Sequence, residues 1–299
     1  MSLSHSIAFR IVKKGMRSFD PNHLPDFEAQ RKQERIPKLP KGVTREGARF
    51  GRIPGEWLRD AGNRPDKAIL YIHGGGFIGG SSASRRDFTG YLAKTSGYDV
   101  ASVDYRLAPE HPFPAAPKDC FAAYQVLVQL FGAENLALAG ESAGGNLVLS
   151  VLLQAKDAGI PLLACATVIS PTVQYDRILP SYEENRETEC MVGDLSLEVQ
   201  TLYVQTDELP VLQNAYGAPL YGELDGFPPV QIIVSSSEAL LSDSVELYRK
   251  LRRSGVKSDL IQYTGMMHAF AVIPTFPESR KAIREMETFW HKNLDRGTI

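Results

Sequence analysis

The chain has 299 residues, enough to bury the core of one large α/β domain or of two modest ones. Its 33 Lys and Arg residues nearly balance its 35 Asp and Glu residues, so a net charge of −2 gives no reason to expect nucleic acid or an acidic membrane as the main partner. No apolar run approaches the roughly 20 residues that span a bilayer.

From residue 68 onward, short apolar segments alternate with helical ones. Strands are predicted at 68–73, 99–105, 135–140, 162–169, 230–235 and 258–263. Helices are predicted near 84–95 and 117–131, directly after the third strand through about 157, and near 243–254 and 278–293. A hairpin at 48–59 is predicted at the sheet edge. Buried strands that alternate with helices predict a mostly parallel sheet with helices on both faces.

Two stretches interrupt this alternation, namely residues 1 to about 45 and residues 171 to about 227. The first stretch is basic and the second is acidic. We expect them to pack together, helped by their opposite charges. The alternative is that the two stretches do not pack together and that each presents its charges to solvent, because exposed ion pairs are individually weak.

The cysteines are few and scattered. Cys120, Cys165 and Cys190 form no CxxC pair and have no histidine at metal-ligand spacing. An odd, sparse set of cysteines is typical of a reducing compartment. Since the amino-terminal residues also lack the pattern of a signal peptide, we predict a cytoplasmic protein without stable membrane insertion.

A serine in a G-x-S-x-G pattern, Gly140–Gly144, is the predicted nucleophile. The pattern joins an apolar strand to an apolar helix, which is the context of a nucleophile elbow. We expect Ser142 Oγ above the carboxyl edge of the sheet, at a helix N-terminus whose dipole favours developing negative charge. The alternative is a glycine-rich turn with a serine that only caps the helix.

A glycine-rich loop, HGGGFIGG, follows the first predicted strand of the parallel sheet. Acyl transfer creates a negative oxygen that needs preorganised N–H donors, and glycines let the backbone approach it. The N–H groups of Gly75, Gly76 and Ala143 are the predicted oxyanion donors. A phosphate-binding loop is the rival interpretation, but the lysine and hydroxyl of GxxxxGK[ST] are missing. His73 is interpreted as structural.

Three motifs resemble those of the hormone-sensitive-lipase-like esterases of the α/β-hydrolase superfamily, namely HGGGF at 73–77, DYRLAPEHPFPAA at 104–116 and GESAGGN at 140–146. The similarity extends from about 68 to 270. It implies an α/β-hydrolase fold with a single catalytic domain over 1–299 and a cap formed by about 1–45 and 171–227. It also implies hydrolysis of esters with short acyl chains without metal or cofactor, and it is compatible with a homodimer through the last strand and helix.

The second of these motifs is interpreted as structural. Asp104, Arg106 and Glu110 are expected to bridge one another across the loop. The prolines of the motif are expected to fix a loop that supports the oxyanion turn.

The predicted base is His268, in YTGMMHAF. A serine hydroxyl is a poor nucleophile until an imidazole accepts its proton. His268 follows the strand at 258–263, late in the chain, where the order Ser…acid…His places the base. The resembled family carries its catalytic histidine in a similar Y-x-G-x-x-H-G-F loop, and Ala269 stands where glycine is usual.

The acid is harder to assign, because SEALLSD replaces the family's D-P-L-x-D stretch. Glu238 lies shortly after a strand, where a loop can direct its carboxylate at His268. Asp243 has Glu246 three residues later, which is the spacing of a helix N-cap with its capping-box partner. A glutamate can fix the imidazole tautomer and stabilise the imidazolium. We therefore predict Glu238 as the acid, with Asp243 as the alternative.

These residues predict hydrolysis of a small-molecule ester through an acyl-enzyme. A lactone hydrolase or an amidase would use the same triad and remains an alternative. A non-catalytic ligand receptor on this fold would keep the pocket but lose a triad member.

Overall fold

The computed structural model describes residues 25–189 and 199–295, together with Ser2 and Ser6. Its strands are β1 (Thr44–Phe50), β2 (Ile53–Arg59), β3 (Arg64–Ile72), β4 (Tyr98–Val103), β5 (Leu136–Glu141), β6 (Cys165–Ile169), β7 (Val230–Ser235) and β8 (Ser258–Tyr263). They form one 8-stranded sheet in the order β1-β2-β4-β3-β5-β6-β7-β8.

The helices of the described residues flank this sheet. They are α1 (Phe27–Lys32), α2 (Arg86–Ser96), α3 (Ala115–Phe131), α4 (Ala143–Asp157), α5 (Pro180–Glu184), α6 (Leu209–Leu212), α7 (Leu241–Arg253) and α8 (Pro277–Leu294). Short 3₁₀ turns cover Ala83–Arg85, Ala133–Asn135, Pro219–Tyr221 and Phe270–Val272, and a π-helical turn covers Val199–Val204. Within the described ranges, none of these helices combines the length and apolar character needed to cross a bilayer.

Strand pairing is antiparallel at one edge, where β2 pairs with β1 and β4, and parallel from β4 to β8. The predicted mostly parallel sheet is therefore confirmed. The hairpin predicted at 48–59 is also present as β1 and β2, whose register pairs Phe50 with Ile53 at the turn.

The core lies in two layers, one on each face of the sheet. Successive side chains of a strand point to opposite faces. In β3, Leu70 and Ile72 belong to the apolar cluster that includes residues of α3, α4 and α7, whereas Ile69 and Tyr71 belong to the cluster that includes residues of α2 and α8. Burial on both faces explains why β3 ends as an unbroken apolar run instead of an alternating one.

The stretch between β6 and β7 is described at 171–189 and 199–227 and contains α5 and α6. The expected packing of residues 1–45 against this stretch falls in part on residues outside the described ranges and stays a prediction. Within the described part of the amino-terminal stretch, Arg31 donates hydrogen bonds to the carbonyl of Ile78 at 2.6 Å and to Glu110 at 2.9 Å.

The parallel strands bring distant turns to one edge. β3 and β5 are neighbours, with Ile72 paired to Gly140, so the segments that follow them begin side by side. β6, β7 and β8 continue the same direction across the sheet. Since the carboxyl ends of parallel strands meet at a common edge, the loops that follow β3, β5, β7 and β8 all open there.

Candidate active site

Ser142 occupies a strained turn between β5 and α4. Its backbone angles are φ 55° and ψ −121°, a region that residues other than glycine rarely adopt. The Ser142 N–H donates to the carbonyl of Ile169 at 2.8 Å, which ties the turn to the end of β6. A Cβ at Gly144 would lie 2.1 Å from the carbonyl oxygen of Ile72, and one at Gly140 would lie 2.5 Å from that of Gly144. Both glycines are therefore required for this strand–turn–helix geometry.

The Ser142 side chain caps no N–H group of α4. This observation removes the alternative of a serine that only caps the helix. The hydroxyl is half-buried and lies at the N-terminus of a 15-residue helix. The helix dipole at that end favours negative charge, as a serine nucleophile requires during attack.

The glycine loop after β3 approaches the serine turn closely. A Cβ at Gly74 would lie 2.6 Å from the carbonyl oxygen of Glu141, directly before the serine. Gly75 has φ 122°, and a Cβ there would lie 2.4 Å from the carbonyl oxygen of Gly79. A side chain at Gly74 would push the loop away from the serine turn, and one at Gly75 would collide with the loop's own backbone.

The predicted oxyanion donors are backbone N–H groups of this loop and of the first residue of α4. Among the hydrogen bonds formed by the described residues, none uses the N–H of Gly75, Gly76 or Ala143. Helix N-termini and glycine turns present such N–H groups to an incoming anion. The three N–H groups are thus available to donate hydrogen bonds to a developing negative oxygen.

His73 has the environment of a structural histidine. Its ring stacks on Tyr105 with centroids 4.3 Å apart, and its Nδ1 lies 2.9 Å from the carbonyl oxygen of Gly74. Burial lowers the pKa of His73 despite that hydrogen bond and the charges of Glu141 and Asp104. A neutral, stacked ring at the end of β3 supports the shape of the glycine loop.

The expected bridging among Asp104, Arg106 and Glu110 is wrong. Each of the three side chains pairs outside the motif: Asp104 accepts from Ser82, Arg106 donates to Asp119, and Glu110 accepts from Arg31. The charges therefore attach the loop to three other segments. The loop still contacts the oxyanion turn, since the Ala108 N–H donates to the carbonyl of Phe77 at 2.9 Å.

His268 and Glu238 form a buried pair. Nδ1 of His268 lies 3.2 Å from Oε1 of Glu238, and the side chains are 5% and 0% exposed. Burial alone would lower the pKa of His268, but the charge and hydrogen bond of Glu238, with smaller contributions from Glu189 and Glu141, raise it. The carboxylate also fixes the ring so that Nε2 is the nitrogen left for a substrate-side proton.

Ser170, which the sequence patterns did not single out, joins Glu238 to the loop that carries His268. Its hydroxyl donates to Oε2 of Glu238 at 2.8 Å and accepts the Ala269 N–H at 3.2 Å. The Ser235 N–H donates to the same carboxylate oxygen at 3.2 Å. Ser170 follows Ile169, the residue that binds the Ser142 N–H, so short contacts connect the serine turn, the acid and the histidine loop. A polar residue directly after a buried strand was the available signal.

Asp243 lies apart from this pair, and its predicted N-cap role is wrong. Helix α7 begins at Leu241, so Asp243 lies in its first turn. The side chain is fully buried and accepts the Val173 N–H at 3.1 Å. Burial raises the pKa of Asp243 to about 7, against the opposing effects of that N–H and of Tyr182. Leu240 precedes the helix at the N-cap position, so the helix begins without a capping side chain.

A second buried acid lies directly before the serine. Glu141 is 1% exposed; it accepts from Arg85 Nε at 2.6 Å and from the Tyr71 hydroxyl. Burial alone would lower the pKa of Arg85, but the charge of Glu141 and its hydrogen bond raise it. The sequence motif contains this glutamate, but its partner Arg85 has no recognisable pattern.

Aromatic rings pack beside the glycine loop. Phe77, next to Gly76, stacks on Tyr203 with ring centroids 3.8 Å apart and an interplanar angle of 3°. Both side chains are fully buried. Among the described residues, no group of three or more His, Cys, Asp or Glu side chains is arranged to hold a metal ion.

Comparisons with known proteins agree with this geometry. A model of the alpha/beta hydrolase fold family matches residues 69–272. An acetyl-hydrolase of Streptomyces hygroscopicus is 32% identical over 251 residues, which cover 83% of this chain and 82% of the relative. An esterase of Acinetobacter venetianus is 32% identical over 74% of this chain and 73% of its own length. The crystal structure of an esterase from the bacterial hormone-sensitive lipase family superposes with a TM-score of 0.89 at 29% identity, covering 98% of this chain and 99% of that one.

Proposed function

This chain belongs to the alpha/beta hydrolase fold family, within which it is a serine carboxylesterase, and we propose that it hydrolyses esters with short acyl chains through Ser142, His268 and Glu238. The resemblance to the hormone-sensitive-lipase-like esterases, inferred from three motifs, is confirmed by the family match and the structural neighbours. The assignment of the triad residues is our proposal.

In the proposed reaction, Ser142 Oγ attacks the ester carbonyl carbon while Nε2 of His268 accepts the hydroxyl proton. The carbonyl π pair moves onto oxygen, and the N–H groups of Gly75, Gly76 and Ala143 stabilise that oxyanion. Collapse of the tetrahedral intermediate expels the alcohol, which takes the proton from His268.

Water then repeats the sequence on the acyl-enzyme and releases the acid. Glu238 holds the imidazole tautomer and stabilises the imidazolium that forms in each half of the reaction.

The observation that carries this proposal is the buried contact of His268 Nδ1 with Glu238 Oε1 at 3.2 Å. A histidine paired with a buried carboxylate is stabilised in its charged form, which is the form created when it accepts a proton. Two further features support the proposal. Ser142 has a positive φ, as expected of a nucleophile in a strained turn, and the N–H groups of the glycine loop are available to bind the oxyanion.

The preference for short acyl chains is supported by the aromatic packing next to the oxyanion loop. The Phe77–Tyr203 stack is fully buried, and Phe77 directly follows Gly76 in the chain. Rigid rings there limit the length of a chain that can lie against the loop. A relative with the name acetyl-hydrolase agrees with this limit.

The test is a series of p-nitrophenyl esters from acetate to decanoate, with Ser142→Ala as the control. We expect kcat/KM to be highest for the two- to four-carbon acids and to vanish in Ser142→Ala. A matching anilide and a simple lactone, measured in the same way, separate esterase from amidase and lactonase. Higher kcat/KM for the lactone or the anilide than for every ester contradicts the proposed substrate class.

We also propose a cap over this site, a homodimer and a cellular location. Residues 1 to about 45 and 171 to about 227 form a cap over it within one catalytic domain, and a homodimer forms through α8 and β8, the strand at the edge of the sheet. A cytoplasmic location is supported by Cys120, which is a buried free cysteine. Limited proteolysis tests the cap, and light scattering of the intact chain tests the homodimer.

A further inference from the structure

The turn that carries Glu238, Ser236–Ala239, is bound by a segment that lies far away in sequence. We call Ser181–Glu189, which follows the start of α5, the clamp segment. Every backbone carbonyl oxygen of the turn accepts a hydrogen bond from a clamp side chain. The donors are Asn185 Nδ2 to Ser236 at 3.2 Å and to Glu238 at 2.8 Å, Thr188 Oγ1 to Ser237 at 2.9 Å, and Ser181 Oγ to Ala239.

The clamp also binds the one N–H of the turn that directly follows the acid. The Ala239 N–H donates to Oε2 of Glu189 at 2.8 Å, in a site where Glu189 is 6% and Ala239 is 2% exposed. A buried N–H without an acceptor is costly, and a carboxylate is a strong acceptor. Glu189 therefore fixes the peptide plane between Glu238 and Ala239. The orientation of this plane sets the position of the Glu238 backbone, from which its side chain extends.

The turn itself has little internal support. The hydrogen bond that closes the overlapping turn Glu238–Leu241, from the Leu241 N–H to the Glu238 carbonyl, is long at 3.4 Å. The Glu238 carboxylate is held on the sheet side by Ser170 and Ser235. The backbone is held on the opposite side by the clamp. Both sides must be in place for Oε1 to stay at 3.2 Å from His268.

We propose that Glu189 and Asn185 are positioning residues of the triad: they fix the Glu238 turn from the segment inserted between β6 and β7, and so set the carboxylate that orients His268. This inference rests on the proposed function. Neither residue touches substrate. Each acts through the position of Glu238. A displacement of a catalytic group by about 1 Å is enough to reduce turnover by about 10²-fold, so a small shift of this turn would lower the rate.

The decisive experiment is a double-mutant cycle between positions 189 and 239. Proline at 239 has no N–H to satisfy. It also fits the position, since Ala239 is the second residue of the turn that the Leu241 N–H closes, where proline is favoured. Glu189→Ala, Ala239→Pro and the double variant are compared with the intact wild-type chain, using p-nitrophenyl acetate as the substrate.

We expect Glu189→Ala to lower kcat by about 10- to 100-fold with KM within about twofold, because acid geometry and not substrate binding is lost. Ala239→Pro alone removes the N–H that donates to Oε2 of Glu189 and lowers kcat as well. The double variant removes the donor and the acceptor of this hydrogen bond together, and proline fixes φ at position 239 in its place, so kcat returns to within about threefold of wild type. Glu189→Gln keeps an acceptor oxygen and stays within about threefold too.

Glu183→Ala is the matched control, because Glu183 lies in the same segment but is exposed and pairs only weakly with Arg186 at 3.9 Å. It leaves kcat unchanged. Active-site titration with a p-nitrophenyl phosphonate gives the competent fraction of each variant, so that misfolding is not counted as lost turnover.

Two results overturn the inference: Glu189→Ala with wild-type kcat, or a double variant no better than Glu189→Ala. These results are distinct from failure of the proposed function, which Ser142→Ala in the same series reports. If Ser142→Ala is inactive and Glu189→Ala matches wild type, only the positioning role fails. If Ser142→Ala turns over at the wild-type rate, the proposed function fails.

Discussion

His268 Nδ1 lies 3.2 Å from Glu238 Oε1, with both side chains buried. Asp243, five positions further on, is equally buried but accepts the Val173 N–H instead. The two acids therefore differ in partner and not in burial. Only Glu238 can hold the imidazole, and this distinction yields separate predictions for the two positions.

The first prediction concerns turnover. Glu238→Gln should lower kcat/KM by about 10²- to 10⁴-fold, because an amide can no longer stabilise the imidazolium or enforce its tautomer. Asp243→Asn, of equal shape change, should lower it by less than about tenfold. Steady-state kinetics on p-nitrophenyl acetate check both variants. A larger loss for Asp243→Asn than for Glu238→Gln would make Asp243 the acid.

The second prediction concerns the pH dependence of catalysis. His268 must be neutral to accept the serine proton, and its raised pKa places the acidic limb of kcat/KM above the ordinary histidine value of about 6.5. Removing the Glu238 charge in Glu238→Gln should move that limb to lower pH, since burial then opposes only the weaker effects of Glu189 and Glu141. A limb that moves to higher pH would contradict the assigned cause.

The third prediction concerns stability. The pKa of Asp243 is raised from 3.8 to about 7 by burial, so the folded state binds its proton more tightly than the unfolded state. The stability that this group contributes is fully present below about pH 4 and is lost as the pH rises through about 7. Asp243→Asn removes this loss and keeps an acceptor for the Val173 N–H.

Thermal unfolding at pH 5 and pH 8 checks the sign. The Tm of Asp243→Asn minus that of wild type should be larger at pH 8 than at pH 5. Leu247, one turn further along α7 and apolar, offers a control in Leu247→Met, whose effect on Tm should be the same at both pH values. Equal differences for Asp243→Asn at the two pH values would show that its carboxyl does not titrate as described.

The fourth prediction concerns the oxyanion loop. At Gly75 the backbone has φ 122° and an added Cβ would lie 2.4 Å from the carbonyl oxygen of Gly79. Gly75→Ala must therefore displace the loop, and we expect kcat to fall by about 10²- to 10³-fold. Gly159→Ala is the control for strain alone, because Gly159 has φ 65° with open space around it. It should lower Tm while leaving kcat unchanged.

Periodicity and motifs were sufficient to predict the strands and a mostly parallel sheet, but not the order of the strands within it. The bounds 230–235 and 258–263 agree with β7 and β8 because both strands are compact apolar or alternating runs with clear ends. Helix α7 was predicted to begin at Asp243, and this was wrong. A buried aspartate in a first turn and a capping aspartate have the same spacing, and only burial distinguishes them.

The clamp on the Glu238 turn could not have been predicted. Its contacts join residues about 50 positions apart, through polar side chains that follow no helical or strand period. The same is true of Ser170, whose two hydrogen bonds depend on loops from three strands meeting at one edge. Local patterns therefore located the candidate nucleophile and base, whereas the support around the acid depends on the folded arrangement.

The most direct test is covalent trapping of the nucleophile. The intact chain is treated with diethyl p-nitrophenyl phosphate, and the adduct is located by peptide mass spectrometry alongside residual esterase activity. Our account predicts one diethylphosphoryl group on Ser142, formed in proportion to the loss of activity, and no adduct in Ser142→Ala. Loss of activity with the label on another residue, or full labelling of Ser142 with activity retained, would contradict it.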